Sequence, residues 1–403
     1  MHRRVAVTGM GVVAATGLGL DAFWQAVVQG KSGIRQISFF DTSPFRTKIA
    51  GEVPDFDPLH FVNERSLKYM DRICQLTLAA AQEAVATGGL DEDSGLIFGT
   101  GIGGITTSDK QHGVLHTLGA KGVRPMDIPM IMCNAAASHL SMRYGLKGPG
   151  YTIVTACASA SNAIGESVRL IRHGYADSVL TGGADATISS AIFYGWNKLR
   201  VMSKRNDTPQ SSCRPFSKDR DGMVLAEGAG VLVLEEMERA KSRGATIWAE
   251  IIGYGSSYDA THITAPNVDG QCLAITRALN DAGIAPADVD YINAHGTATL
   301  ANDKVETESV KRIFGSVETA PPLSSIKPVT GHSLGCAGAL EIIASCLALR
   351  DNIMPPTINY SVPDPECDLD YVPNQARAKE LSVIMSNTFG FGGNNAVLVL
   401  RKV

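Results

Sequence analysis

The chain has 403 residues, of which 44% are hydrophobic and 19% are charged, so it can bury a large core in two domains or one duplicated unit. Its net charge of −4 provides no overall basic field, which argues against nucleic acid as a partner. No apolar run is long enough to span a bilayer. The eight cysteines include no CxxC pair and no zinc spacing, so we expect a globular protein of the reducing cytoplasm without a structural metal.

The first predicted element is a strand over residues 5–8, and Gly9 and Gly11 follow it as a predicted glycine turn. The two arginines before this run superficially resemble the start of a signal peptide. Because the glycines interrupt the apolar segment, we expect no export. A helix is predicted over residues 21–29.

Short apolar runs then alternate with helical stretches through the first half of the chain. The runs are GLIFGTG, YTIVTA, DSVLTGG and GVLVLEE. The predicted helix that follows YTIVTA ends near His173. This alternation predicts an α/β protein with a mostly parallel sheet.

A second set of elements starts at Ala249. It contains predicted helices over residues 303–314 and 336–349, and its apolar runs are AEIIGYGSS, VDYINAHG, PLSSIK and VIMSNTFGFGG. The two sets suggest two copies of one architecture, with a seam in the polar stretch 238–246. We therefore predict an N-terminal half, residues 1–245, and a C-terminal half, residues 246–403.

Cys157 lies in VTACASASNAIG, between an apolar run and a predicted helix. Ile164, Val168 and Ile171 share one face of that helix, and Gly174 is placed to cap its end. A thiol at the start of a helix is either a small buried hydrophobe or a nucleophile. In the second case the free N–H groups would lower its pKa and could hold an oxyanion.

Two further segments carry a histidine out of an apolar strand into a turn rich in glycine and hydroxyl groups. They are INAHGTATLANDKVE, with His295, and SSIKPVTGHSLGCAGALE, with His332. One such histidine alone would more often be structural. Two in matching contexts, together with a candidate thiol, favour a Cys-His-His set at the strand ends of an α/β sheet.

Four motifs, TACAS, NAHGTATLAND, KPVTGHSLGCAGALE and SNTFGFGGNNA, together resemble the elongating β-ketoacyl-acyl carrier protein synthases. The resemblance runs from VAVTGMG to FGFGGNN and so covers essentially the whole chain. It implies the thiolase fold, with five αβαβα layers from two duplicated halves. It also implies acyl carrier protein as partner, substrates carried on phosphopantetheine, and no cofactor.

The resemblance assigns roles to the catalytic candidates. Cys157 would take the acyl chain, and His295 and His332 would hold the malonyl thioester oxygen while CO2 leaves, for which neutral tautomers suffice. Lys327, paired with Glu341, would tune the site as a fixed charge.

Phe391, between flanking glycines in FGFGG, resembles the family's mobile gate, and its N–H would join that of Cys157 in the oxyanion hole. Further positions would bind substrate: Thr297 and Thr299 along the pantetheine passage, Thr264 as a weaker match, Ile102 in the acyl pocket wall, and Phe389.

Because carrier proteins of this type are acidic, a local basic patch is expected despite the negative net charge. The resemblance places it at Arg65, Lys68, Arg124, Lys204 and Arg205.

Several alternatives bear on this interpretation. A biosynthetic thiolase would carry a second cysteine in the C-terminal motif, an initiating synthase would have asparagine in place of His332, and a cysteine hydrolase would need an aspartate or asparagine orienter. A metal bound by Cys157, His295 and His332 lacks any supporting ligand spacing. The main rival is a non-catalytic chain-length factor.

Two questions stay open in the sequence. SSIKPVTGHSLG and PDPECDLDYVP are closer to polyketide ketosynthases, whereas LRVMS and CRPFSKDRDGMV are similar to fatty-acid and nodulation-type enzymes. A fatty-acid pathway and a specialised polyketide or polyene pathway therefore both fit. The partner subunit could be a second copy, giving a homodimer, or a chain-length factor, giving a heterodimer.

Overall fold

One mixed sheet of eleven strands runs through the protein in the computed structural model, which describes residues 3–53 and 55–403. The strands are β1 Val5–Ala14, β2 Gly17–Leu18, β3 Arg35–Gln36, β4 Ile49–Ala50, β5 Gly95–Gly99, β6 Gly150–Ile153, β7 Ser178–Asp185, β8 Gly228–Glu236, β9 Ala249–Tyr258, β10 Tyr291–Asn293, β11 Leu323–Ser324, β12 Ile353–Met354, β13 Arg377–Ala378, β14 Val383–Gly390 and β15 Asn394–Arg401. Of these, β3 pairs with β4 and β12 with β13 in two small separate ribbons.

The helices flank this sheet or connect its strands. They are α1 Leu20–Gln29, α2 Glu64–Leu67, α3 Arg72–Thr87, α4 Ile105–Leu118, α5 Asp127–Ile131, α6 Ala135–Tyr144, α7 Ser159–Arg172, α8 Ser190–Leu199, α9 Met237–Ser242, α10 Val268–Ala282, α11 Leu300–Phe314, α12 Lys327–Thr330 and α13 Ala337–Asp351. Within the described residues, no helix combines the length and apolar content that crossing a membrane requires.

The strand order shows the duplication that the sequence predicts. The first half has the order β6-β5-β7-β8-β1 and the second half the order β11-β10-β14-β15-β9, which is the same permutation. The two halves meet where β1 pairs with β9 through Ala6 with Glu250 and Val7 with Ala249. The exact boundary at residues 245 and 246 stays a prediction.

The prediction of a mostly parallel sheet is wrong. Only β5 with β6 and β7, and β10 with β11 and β14, are parallel pairs, whereas the fourth and fifth strands of each half are antiparallel neighbours. In the second half these two strands form a hairpin joined by Phe391–Gly393. A short hairpin connection permits only antiparallel pairing.

Five layers result from the packing of helices on this sheet. Helices α7 and α13 pack against each other between the two halves of the sheet, α3 covers β1 and β8 on one outer face, and α10 covers β9 and β15 on the other. Helix α13 is buried from Ala337 to Leu349, and only its last two residues, Arg350 and Asp351, are exposed. A helix that is apolar all round belongs in such a central layer.

Gly9 and Gly11 lie inside β1 rather than in the predicted turn, because β1 extends to Ala14. A Cβ at Gly9 would stand 2.1 Å from the carbonyl oxygen of Ala84, and one at Gly11 would stand 2.0 Å from that of Ala80. The glycines therefore allow α3 to pack directly on the strand.

The connection from the third strand to the central helix has the same turn in both halves. A 3-10 turn precedes each central helix, Ala156–Ala158 before α7 and Leu334–Cys336 before α13. The first residue of each turn has a positive φ, 51° at Ala156 and 49° at Leu334. Non-glycine residues rarely adopt this conformation, and it is concentrated at functional sites.

Candidate active site

Cys157 occupies the middle of the first of these turns, at the start of α7, and only 7% of it is exposed. Ser159 fixes the turn, because its hydroxyl accepts from the N–H of Thr155 at 2.9 Å and lies 2.7 Å from the Ala156 carbonyl oxygen. The thiol therefore has a defined position at the N-terminal start of a largely buried helix.

The resting thiol is not activated as the sequence suggests. Burial raises the pKa of Cys157 to about 12, and the opposing effects of the Lys327 charge and the Phe391 N–H are smaller. The expectation of a lowered pKa is therefore wrong for the resting site, because dehydration outweighs the helix terminus. The thiol carries its proton at neutral pH.

His295 and His332 meet the thiol from the other half of the chain. Their rings are 5.4 Å apart and nearly perpendicular, at 83°. One ring nitrogen of each and the Cys157 Sγ all lie within 4.8 Å of one another. Burial, followed by the Lys327 charge, holds the pKa of both histidines well below the usual range. Both rings are therefore neutral at neutral pH.

Lys327 and Glu341 form a buried ion pair beside His295. The Lys327 Nζ donates to the His295 carbonyl oxygen at 2.5 Å and lies 3.4 Å from Nδ1 of the same histidine. An ammonium group can only donate, so Nδ1 is the acceptor and the ring proton sits on Nε2. Burial raises the pKa of Glu341, while Lys327 opposes this effect.

Phe391 approaches the thiol through its backbone. Its N–H donates to the Cys157 sulfur, and its half-buried ring stacks on Trp196 with the ring centres 5.7 Å apart. Gly392 and Gly393 follow with φ of 81° and 72°. This conformation favours glycine and gives the turn between β14 and β15 its sharp reversal.

A cleft of about 180 Å³ leads to these groups. Four of the predicted substrate-binding residues line it, namely Thr297, Thr299, Thr264 and Phe389. Ile102 instead packs in an apolar cluster beside Cys157 that also contains Ile188, Phe193 and Leu334. The cleft and this cluster both include Cys157 and Met223 and so adjoin at the thiol.

Comparisons with known proteins decide the family. The family described as "Beta-ketoacyl synthase, N-terminal domain" matches residues 2–240, and "Beta-ketoacyl synthase, C-terminal domain" matches residues 248–361. The chain belongs to the beta-ketoacyl synthase family.

Curated relatives and solved structures of the family cover the chain in full. The 3-oxoacyl-[acyl-carrier-protein] synthase 2 of Coxiella burnetii is 45% identical over 100% of this chain and 99% of its own length. The Synechocystis enzyme of the same name is 44% identical over 99% of this chain and 98% of its own.

Among solved structures, the ishigamide ketosynthase/chain length factor has a TM-score of 0.94 at 37% identity, with 100% of both chains covered. A type II PKS acyl-carrier protein in complex with its ketosynthase bound to the hexaketide has a TM-score of 0.91 at 34% identity, also with 100% of both covered. These likenesses confirm the predicted thiolase fold.

Two buried carboxylates hold the loop that carries His295 in the beta-ketoacyl synthase site. This role was not predicted from the sequence. Glu306 accepts the N–H groups of His295 and Gly296, both at 2.8 Å, and Asp303 accepts those of Thr297 and, at 2.8 Å, Phe216. Burial raises the pKa of Glu306 to about 7 and that of Asp303 to about 6. Both residues lie in the segment INAHGTATLANDKVE, but acidic residues in the first turns of a helix are ordinarily exposed, so their type and position did not indicate this buried role.

Asp185 is a third missed carboxylate. It accepts from Thr100 Oγ1 at 2.9 Å, from the Gly101 N–H at 2.9 Å and from the Gly335 N–H at 2.7 Å. Burial raises its pKa to about 6. The carboxylate thereby connects the loop that carries Ile102 to the turn after His332.

The predicted docking residues are exposed or half-buried. Arg65 and Lys204 form no ion pair with any described residue. Lys68 lies 3.8 Å from Glu64, Arg124 pairs with Asp127 at 2.8 Å, and Arg205 with Asp219 at 3.2 Å.

Proposed function

We propose that the chain is a β-ketoacyl-acyl carrier protein synthase that performs decarboxylative Claisen condensation between an acyl-enzyme and malonyl-acyl carrier protein. The observation that carries this proposal is the approach of the Cys157 sulfur and one nitrogen of each histidine to within 4.8 Å of one another at the end of a cleft. Acyl transfer requires a nucleophile, and enolate formation requires hydrogen-bond donors that stabilise negative charge. This site brings both together.

In the first half-reaction the Cys157 sulfur attacks the acyl thioester carbonyl. The S–C bond to the enzyme forms, the bond to the carrier's thiol breaks, and the proton of Cys157 ends on that departing thiol. Because the resting thiol is protonated, a neutral imidazole must accept the proton as the sulfur attacks. The N–H groups of Cys157 and Phe391 serve as oxyanion donors.

In the second half-reaction the malonyl thioester loses CO2. Breaking this C–C bond leaves an enolate, whose oxygen accepts hydrogen bonds from His295 and His332. The enolate carbon attacks the acyl carbonyl on Cys157, the new C–C bond forms, and the thiolate leaves and takes up one proton. Neutral donors suit this step, because negative charge develops on the oxygen only during the reaction.

Lys327 and Glu341 hold His295 in its tautomer and take no direct part in bond making. Every bond change is supplied by the chain and its two substrates, so we assign neither a cofactor nor a metal to the reaction. The substrates arrive on the phosphopantetheine of the carrier protein.

A chain-length-factor-like subunit without catalysis is the alternative to this function. Such subunits typically lack the nucleophile, whereas this chain has Cys157 together with His295 and His332. Curated relatives named 3-oxoacyl-[acyl-carrier-protein] synthase 2 also favour the catalytic function.

A second ketosynthase-fold subunit is the proposed oligomeric partner, either another copy or a chain-length factor. Strand β6 is an edge strand, and Tyr151 within it and Val154 directly after it are 47% and 48% exposed. The segment of α4 and α5 carries a further apolar surface that is 42–67% exposed, formed by Leu115, Leu118, Val123, Met126, Ile128 and Met132. Large apolar patches and open strand edges are normally covered in an assembly. We place the protein in the cytoplasm, where the free thiols of its eight cysteines stay reduced.

The test is intact-mass analysis after mixing the protein with acyl-carrier proteins of varied chain length, followed by malonyl-carrier protein. We expect an acyl adduct that is absent in Cys157→Ala, and a β-keto product extended by two carbons. The favoured chain separates a fatty-acid from a polyketide or polyene pathway. Absence of any adduct, even with a candidate partner subunit supplied, would favour the non-catalytic alternative.

A further inference from the structure

Trp196 lines the cleft beside Cys157, yet no motif of the sequence singles it out. Its indole faces the ring of Phe391 with 5.7 Å between ring centres and 26° between ring planes. This near-parallel stacking is a favourable geometry for two aromatic rings. The contact joins α8 of the first half to the turn between β14 and β15 of the second.

The indole stands on a fixed support. Asn197, the next residue of α8, accepts the backbone N–H groups of Arg46 and Thr47 at 3.1 and 2.9 Å. Phe193, one turn earlier on the same helix, is fully buried in the apolar cluster that contains Cys157. Both neighbours therefore hold the helix, and with it the indole, against the rest of the first half.

Phe391 has a different kind of environment. It lies between glycines at positions 390 and 392, which permit large backbone rotations. Its N–H donates to the Cys157 sulfur, so any rotation that moves the ring off the indole also changes the position of a proposed oxyanion donor. The position of the Phe391 ring and the position of the Phe391 N–H donor are thus coupled.

We propose that Trp196 is a positioning residue that holds the Phe391 ring in a closed position until an acyl chain arrives. The closed position is the one in which the ring stacks on the indole. The proposal rests on the proposed function, because it concerns the order in which acyl and malonyl groups reach Cys157. Stacking of two aromatic rings corresponds to a factor of about 2 to 10 in the equilibrium between closed and open positions. Trp196 thereby limits malonyl entry before the thiol is acylated.

The first test compares Trp196→Ala with Trp196→Phe, which keeps an aromatic ring. With malonyl-carrier protein alone, we expect CO2 release by Trp196→Ala to rise about 2- to 10-fold relative to the intact protein, and Trp196→Phe to stay within about twofold. A merely structural residue would lower acylation, decarboxylation and condensation together. An unchanged ratio of idle decarboxylation to condensation in Trp196→Ala would overturn the proposal.

The second test uses the three tryptophans of the chain as reporters. During acyl loading, tryptophan emission should change in the intact protein and in Trp248→Phe, a control outside the cleft, but not in Trp196→Phe. Intact mass recorded in parallel shows whether loading occurs. Loading with the same emission change in Trp196→Phe, or with none in the intact protein, would overturn the role of Trp196 while leaving the function intact. Absence of loading in the intact protein would overturn the function, and the role of Trp196 with it.

Discussion

The three groups at the centre of the site are all uncharged at rest. Burial raises the pKa of the Cys157 thiol and holds the pKa of His295 and His332 well below the usual range. A dehydrated site disfavours charge in the resting state and strengthens hydrogen bonds to charge that develops in the reaction. The arrangement is therefore matched to an oxyanion and an enolate, both of which exist only transiently.

Replacing Cys157 with glutamine separates the two proposed half-reactions. We expect Cys157→Gln to abolish condensation, because no thiol can accept the acyl group. It should retain malonyl decarboxylation, since the amide imitates an acylated cysteine and both histidines remain. CO2 release and β-keto product are measured side by side on protein whose melting temperature matches the parent. Loss of decarboxylation in such a folded variant would contradict the division of roles.

Replacing His332 with alanine tests the enolate donors. Removing one such donor typically costs on the order of 10²- to 10³-fold in rate, so decarboxylation by His332→Ala should fall by about that factor. Acyl transfer to Cys157 should fall much less, because its oxyanion is held by backbone N–H groups. The two rates are followed by CO2 release and by intact mass. Equal loss in both would show that His332 acts in another way.

At the scale of elements, α11 acts as a clamp on the loop that carries His295. Its side chains Asp303 and Glu306 accept backbone N–H groups from both ends of the stretch from His295 to Thr297. Arg220 is buried, and its guanidinium lies 3.6 Å from Asp303 and 3.3 Å from the Thr299 carbonyl oxygen. The loop geometry therefore depends on charges that lie outside the cleft.

This clamp has a pH dependence with a definite sign. Burial raises the pKa of Glu306 from 4.5 to about 7, so between these values the folded chain binds a proton more tightly than the unfolded chain. Its contribution to the free energy of unfolding is present at low pH and is lost as pH rises through about 7. Glu306→Gln should remove this loss.

Chemical denaturation at pH 5 and pH 8 measures the effect. From pH 5 to pH 8 the free energy of unfolding of the parent should fall by about 1–3 kcal/mol relative to that of Glu306→Gln. Glu308→Gln, an exposed position two residues further along α11, is the matched control and should show no such change. The same difference at both pH values would mean that the Glu306 carboxyl is not perturbed.

The sequence predicts some elements better than others for physical reasons. Helix α7 has an apolar stripe and a terminal glycine, and its predicted end near His173 is one residue past the observed Arg172. Local propensity alone predicts a turn at the glycines of β1. The prediction fails because the helix that packs on these glycines comes some 70 residues later in the chain. Contacts of this kind override local preference and leave no local signal.

At the scale of the whole molecule, the duplication explains both what is predictable and what is not. The repeated alternation of runs and helices predicts two similar halves, and the strand order confirms them. Motif residues mark the site because their type and context are unusual. Trp196 and Asp185 are not marked, since they contact Phe391 and Gly101 from distant segments of the chain. Asp303 and Glu306 lie within the segment INAHGTATLANDKVE, but their contacts with backbone N–H groups are not visible in the sequence.

The proposed function requires the protein surface to recognise an acidic carrier protein despite a net charge of −4. Of the predicted docking cations, Arg65 and Lys204 are exposed and form no ion pair within residues 3–53 and 55–403, so their charges are free for a partner. Arg205 differs, because it lies near both Asp219 and Asp221, at 3.2 and 3.8 Å. An Arg205 variant would therefore disturb the local structure as well as docking.

Charge reversal at Arg65 and Lys204 should weaken carrier recognition without altering chemistry. We expect Arg65→Glu and Lys204→Glu each to raise the KM for acyl-carrier protein about 3- to 10-fold at low salt, with kcat unchanged, and the effect to shrink at high salt as charges are screened. A free acyl-pantetheine, which lacks the carrier's acidic surface, should react equally with parent and variants. Lys31→Glu, the same charge change at another exposed lysine, is the control. An equal rise in KM for acyl-pantetheine would place these residues in the substrate passage or the fold rather than on a docking surface.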